Sequence, residues 1–381
     1  MTTTPPFHPP LALHVVWHPA FTAGRDLAHA LYRHLSRDVH QPRFRGLGIP
    51  VFFRSLPGPG AGDLPLPVPV DGAEHTAVVV LVDDELVVDE RWEAYLLSLL
   101  EATADGHHRL FPVALSEYAY ELHPRLAALN FIRLQDLSLE ERAPRLLGSL
   151  THELCRLLLA WPRGGEAPAP GVPAPVTLFI SHAKQDAAHL AEGVRDYLRR
   201  HTALGSFLDT NDIPPGMDFG AVINESLSRA VVLAIQSDAY ASREWCRREV
   251  LIAKRRGCPL VVVNAMTAGE LRSFPYLGNT PTLCADLATE AGITAAIELA
   301  LYETLKWLYL GRHLESLTGG LSPAGLLWNA AELLSVLDLP RREGLVVYPD
   351  PPLGEAERAL LQEVLPGLRL VTPTLLPWVA P

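Results

Sequence analysis

Cysteine is scarce: the 381 residues hold only Cys155, Cys246, Cys258 and Cys284. None forms a CxxC pair, and none stands at a metal-ligand spacing from a histidine. So few thiols in so long a chain fit a reducing compartment. Long apolar runs are missing as well. Those at 77–82 and 259–263 are strand-length, far short of the ~20 residues that span a bilayer. The opening MTTTPPFHPP has no basic n-region and no apolar h-region, which argues against a signal peptide. These absences predict a soluble, cytoplasmic protein without a membrane partner. Basic residues are outnumbered, 32 against 43 acidic, for a formal net charge of -11. A net acidic chain with no basic run is poorly suited to gripping nucleic acid through its phosphates.

Several catalytic signatures are also lacking. There is no GxxxxGK[ST], no GxGxxG between a strand and a helix, no HExxH and no GxSxG. GPGAG at 58–62 lies in a proline-rich loop and has the wrong spacing. A phospho-receiver domain needs an acidic pair after its first strand and an aspartate after its third. Here the corresponding strands end Ser181-His182-Ala183 and Gln236-Ser237. His107-His108 and the pair His14/His18 have no third ligand nearby in sequence, so they read as loop or edge histidines and no metal is expected.

What is present is length and alternation. At ~150 residues per domain, the chain predicts two or three domains, and 48% hydrophobic residues suit folded ones. The segment 161–175, with five prolines and three glycines, interrupts helix and sheet alike and reads as a linker. Before it, Ser138-x-x-Glu141 looks like a capping box opening a helix striped by Leu146, Leu150, Leu154, Leu157 and Leu158. On both sides of the linker, apolar strands alternate with amphipathic helices. In the first half the strands are 11–17, 49–53, 77–82, 109–115 and 130–134. In the second they are 176–181, 205–208, 231–236 and 259–265, and a longer helix is expected over 289–310. This pattern predicts α/β domains with parallel sheets covered on both faces, whose ligands bind at the carboxyl ends of the strands. The similarity of 77–92 to 231–245, each a buried strand, a polar turn and a Trp opening a helix, points to an internal repeat. Beyond residue 321, Ser322-Pro323 reads as a helix start for a helix reaching Leu337. The remaining segments could form one small β-α-β unit.

The informative stretch is 176–265. VTLFISHAKQD ends a strand in Ser-His-Ala, with Asp186 placed to cap the next helix. SFLDTNDIPPGMDF ends a strand at Asp209 and continues in a loop shaped by Pro214, Pro215 and Gly216. DAYASREWCRREV follows the third strand. It puts Trp245 and Glu249 four apart, on one face of a helix starting beyond a strand's carboxyl end.

With these residues in view, 176–265, and less closely to about 310, resembles a TIR (Toll/interleukin-1 receptor) domain. The pieces are the Phe-Ile-Ser-His-Ala box, the Asp-x-x-Asp-Ile-x-Pro-Gly loop, and Ser-x-x-Tyr-x-x-Ser-x-x-Trp-Cys-x-x-Glu; together they cover about a quarter of the chain. The resemblance implies a flavodoxin-like fold, with the loop carrying Asp212, Ile213, Pro214, Pro215 and Gly216 mediating assembly between TIR domains. In the family's enzymatic members the glutamate of the Trp-x-x-x-Glu helix is catalytic, and they cleave the bond between nicotinamide and ribose in NAD⁺. Glu249 matches it. Ser181, His182, Ala183 and Lys184 match the family's nucleotide contacts, with Phe207 and Asp209 on the same rim. Trp245 packs beside the substrate or anchors the helix in the core. NAD⁺ is implied as substrate rather than cofactor, in a homo-oligomeric bacterial immune effector awaiting an unidentified activator. The alternatives are an NAD⁺ cyclase and a non-enzymatic TIR adaptor.

In the first half Trp92 stands where Trp245 does, but Leu96 replaces the glutamate and His18-Pro19 replaces Ser-His-Ala. The expectation is therefore two flavodoxin-like parallel-sheet domains in tandem plus a small C-terminal α/β extension. Residues 1–160 form a degenerate TIR-like domain with a regulatory or assembly role. Residues 161–175 form the linker, 176–312 the TIR domain and 313–381 the extension.

Overall fold

The computed structural model describes residues 8–36, 46–59, 63–161, 175–202, 204–208, 230–270, 272–319, 321, 323–340 and 343–379. The chain folds as two compact units: Met1–Leu158 with Glu315–Gly319, and Leu159–Leu314 with Gly320–Pro381. Most of the linker read from 161–175 lies outside the described residues.

In the first unit, strands β1 (Leu11–Trp17), β2 (Val51–Arg54), β3 (His75–Val82), β4 (Arg109–Ala114) and β5 (Ile132–Arg133) form one sheet. Their order is β2-β1-β3-β4-β5, and every pairing is parallel. All eight residues of β3 are buried, as expected of a central parallel strand covered on both faces. Helices α1 (Thr22–Leu35), α2 (Glu90–Ala102) and α3 (Leu139–Ala160) each bury a leucine-bearing stripe. The described part of the loop between β2 and β3 is partly packed. Val68 joins the core, and the Tyr95 hydroxyl donates to the Leu66 carbonyl at 3.1 Å.

The second unit repeats that plan. Its strands are β6 (Thr177–His182), β7 (Gly205–Leu208), β8 (Ala230–Gln236), β9 (Leu260–Asn264) and β10 (Thr282–Cys284). They run in the order β10-β9-β8-β6-β7, all parallel. Counted from each unit's own first strand, both sheets have the order 2-1-3-4-5, the flavodoxin-like doubly wound arrangement. The tandem parallel-sheet architecture read from the alternation is the one observed. Helices α4 (Ala188–His201), α5 (Glu244–Arg256) and α6 (Glu290–Thr318), the last as far as Leu314, belong to this half. Residues 209–229, between β7 and β8, lie outside the described residues.

Two local expectations are corrected. Asp186 does not cap α4, whose N-cap is Ala187 with no side-chain bond. Its carboxylate instead accepts from the Ser237 hydroxyl at 2.6 Å and the Ala239 amide at 2.8 Å, tying the loop after β6 to the loop after β8. The helix expected from Ser322-Pro323 to Leu337 is also absent among the described residues. Gly325–Leu326 forms a strand, β11, parallel to β12 (Gly344–Val347), and only a short helix, Leu333–Val336, follows. With β13 (Leu368–Val371) and helix α7 (Glu355–Val364), these make a third, three-stranded parallel sheet in the order β11-β12-β13.

The tail sheet packs within the second unit. Val347, Val371 and Leu376 share a core cluster with Leu314 of α6. Trp328 lies against α6, 4.6 Å from the Trp307 ring. A Cβ placed on Gly311 would fall inside the Trp328 indole. Alanine in a helix normally gains about 1 kcal/mol over glycine. At this position Gly311→Ala is expected to lose about 1–3 kcal/mol, because the indole must be expelled or the core strained. Chemical denaturation of the full chain measures it, and a stabilised variant would show that the indole is not held there.

Candidate active site

The second unit's site begins with α5. Cys246, Glu249, Val250 and Ala253 are buried on one face, at the i, i+3, i+4, i+7 spacing of a core stripe. A glutamate in such a stripe is anomalous. Among the described residues of this unit, Glu249 is the only buried carboxylate, at 2% exposure. Gly257 ends the helix in the left-handed region, φ 64°, donating its amide to the Ala253 and Lys254 carbonyls.

Facing α5 is the carboxyl end of β6. Ser181 is completely buried. Its hydroxyl donates to Glu249 Oε2 at 2.5 Å and lies 2.7 Å from the Tyr240 hydroxyl. A serine has one proton to give. Since that proton goes to the carboxylate, Tyr240 must donate to Ser181. The chain therefore runs Tyr240 to Ser181 to Glu249. Burial pushes the Tyr240 phenol well above its usual 10, and the neighbouring Cys246 and Glu249 add to the rise. Tyr240 thus remains a proton donor throughout the working pH range. A second tie joins the same elements: the Cys246 thiol donates to the His182 carbonyl at 3.3 Å.

The sequence-predicted residues divide into three sets. Ser181 and Glu249 meet directly. His182 and Ala183 are buried beside them, while Lys184 is exposed. Trp245 does not share the burial of Glu249: it is 46% exposed, with the Arg248 guanidinium 5.0 Å from its ring centroid. It is not a core anchor. Its counterpart Trp92 in the first unit is one, at 1% exposure. Phe207 pairs its backbone with Phe179, but its side chain, Asp209 and the loop residues Asp212, Ile213, Pro214, Pro215 and Gly216 lie outside the described residues. Tyr240 was present in the quoted motif, but no role for it could be read there. Among the described residues, no cluster of three or more His, Cys, Asp or Glu could hold a metal ion, and no helix is long and apolar enough to cross a membrane.

These features define the class: a doubly wound α/β domain with one buried, hydrogen-bonded carboxylate beside the carboxyl end of its second-from-edge strand. Residues 178–296 match the family model of the TIR domain, and the chain carries a TIR domain over that segment. A search of curated proteins found no match. Among solved structures, the chain is similar to the TIR domain of the Toll-related receptor TRR-2 from Hydra magnipapillata, with 16% identity over 28% of this chain and 83% of that one, and a TM-score of 0.24. It is similar to the TIR domains of the activated Roq1 resistosome recognising the effector XopQ, with 13% identity over 34% and 83%, and a TM-score of 0.23. A third is a metazoan TIR-STING receptor from C. gigas, with 20% identity over 35% and 43%, and a TM-score of 0.26.

Proposed function

We propose that the TIR domain is an NAD⁺ glycohydrolase with Glu249 as its catalytic carboxylate. The observation that carries this reading is the buried Glu249, fixed by Ser181 and Tyr240 at the carboxyl end of β6. Nicotinamide in NAD⁺ is already cationic, so the C1′–N bond can break with its electron pair going to the ring nitrogen. The ribosyl left behind has oxocarbenium character, as in glycoside hydrolysis. A preorganised carboxylate stabilises that charge. Water then forms the C1′–O bond and its proton leaves, giving ADP-ribose and nicotinamide. Neither a metal nor a strong nucleophile is required by this route. Ser181 and Tyr240 are positioning residues. His182, Ala183, Lys184, Phe207, Asp209 and Trp245 are proposed to line the substrate's path, and the loop over 212–216 to join copies of the chain in a homo-oligomer.

The purified full chain, incubated with NAD⁺ in dilute and in crowded solution, is expected to release nicotinamide and ADP-ribose in equal amounts, resolved by chromatography. A cyclic second product would make the enzyme a cyclase of the same bond. No turnover in protein shown to be assembled would overturn the enzymatic reading in favour of an adaptor.

A further inference from the structure

The first unit has a cleft of about 860 Å³ at the carboxyl ends of β1 and β2, bordered by the start of α1 and the proline-rich loop after β2. Doubly wound sheets bind ligands outside the carboxyl ends of their strands; this cleft lies one strand to the side of the point where the strand order reverses. We infer that it is a binding site for a nucleoside phosphate, and that the first unit is a nucleotide sensor.

The walls are aromatic. Trp17 closes β1, and Phe53 stands on β2 with its ring 5.6 Å from the Trp17 ring. His29 of α1 lies 5.3 Å from Phe53. Phe53 is nonetheless 36% exposed, which leaves ring surface for a base to contact. Aromatic side chains stack on any base, because every base presents a π-face. The close approach is built in: a Cβ on Gly24 would lie 2.6 Å from both Trp17 and Phe21.

The cleft is also cationic, in a chain that is acidic overall. Arg25, Arg54 and His29 line it, and none of its described lining residues is Asp or Glu. Neither arginine pairs with a carboxylate among the described residues. Arg54 spends Nη1 on the Phe53 carbonyl at 3.0 Å and pairs in register with Val16, on the sheet face opposite Phe53. The start of α1 adds donors. Its N-cap, Phe21, offers no side-chain oxygen to the first-turn amides, and that turn holds no acidic residue. A helix start left uncapped, with an arginine in place of an acid, is set against the macrodipole unless an anion completes it. A phosphate held by Arg25 and the α1 amides, with its base against Phe53, satisfies both halves of the cleft. This binding stands whether or not the second unit turns over NAD⁺.

The test is fluorescence titration of the full chain with N-methylanthraniloyl-ADP, with unlabelled ADP, adenosine and inorganic phosphate as competitors. The probe is expected to bind, and ADP to displace it far better than adenosine or phosphate. Arg25→Gln should weaken binding about tenfold or more, and Phe53→Leu should weaken it several-fold. Arg25 is exposed on the helix surface, so its loss does not threaten the fold. Three results would overturn the inference. They are no binding up to about 1 mM, undiminished binding by Arg25→Gln, or displacement by phosphate alone as effective as by ADP.

Discussion

Glu249→Gln is expected to lower NAD⁺ turnover by about 10³-fold or more, with the fold intact. Gln keeps the length and shape of Glu, and its carbonyl oxygen can still accept from Ser181 Oγ, which now reaches Glu249 at 2.5 Å. What is lost is the negative charge. The oxocarbenium-like ribosyl gains positive charge only as the nicotinamide leaves, so the loss falls on kcat far more than on KM. Ser181→Ala separates orientation from charge. It leaves the carboxylate but removes the hydroxyl linking it to Tyr240, and it is expected to cost about tenfold to a hundredfold in kcat. Steady-state assays of the assembled chain, with thermal unfolding of each variant, measure both effects. Turnover by Glu249→Gln within tenfold of the unmodified chain would remove Glu249 from the chemistry and leave it a buried structural acid. A larger loss in Ser181→Ala than in Glu249→Gln would place the critical group on β6 instead.

How far the sequence revealed this site depends on how local each signal is. The strands were legible because a parallel sheet buries both faces of its strands, so β3 and β8 read as unbroken apolar runs. Glu249 was legible because it stands four residues beyond Trp245 on a helix opening past a strand's carboxyl end, where it matches the glutamate of the TIR motif. The hydrogen-bonded chain was not. Tyr240 lies 59 residues from Ser181 in the chain, and no periodicity connects them. Asp186 carried a sound capping signal, but its carboxylate had two possible sets of donors. The tertiary one, Ser237 and Ala239, took it. Ser322-Pro323 failed in the same way. A helix start there competes with pairing of Gly325 and Leu326 to Val346 and Val347, and a strand partner supplied from 21 residues away is invisible to local reasoning. The two tryptophans show a finer limit. Trp92 and Trp245 occupy matching places in sequence, yet one is core and the other half-exposed. The first packs beside Tyr95, whereas the second lies beneath the Arg248 guanidinium.

Glu332→Ala is expected to destabilise the tail sheet's attachment by about 2–3 kcal/mol, a large effect for one side chain at the edge of a unit. Lys254 of α5 is buried, at 7% side-chain exposure. Its ammonium meets Glu332 Oε2 and the Gly278 carbonyl, each at 2.9 Å. Deleting the carboxylate leaves a buried cation with a carbonyl for company, and that uncompensated charge, rather than the lost attraction, sets the cost. Three comparisons isolate it. Lys254→Met removes the charge and keeps the apolar stem, so it should cost less than Glu332→Ala. The double variant should be no worse than Lys254→Met alone. Asp338→Ala breaks the neighbouring pair with Arg255, which is solvent-exposed on both sides, and it should leave stability unchanged. Hydrogen exchange of the β12 and β13 amides reads the loss where it arises. If Glu332→Ala proves as neutral as Asp338→Ala, the ammonium is reaching water and the tail is held by its apolar contacts alone. The consequence extends to the site, because Lys254 and Glu249 stand five residues apart on α5 and both are buried. A helix clamped at Lys254 holds Glu249 against Ser181, so the Glu332 variant should lower NAD⁺ turnover without touching any residue near the substrate.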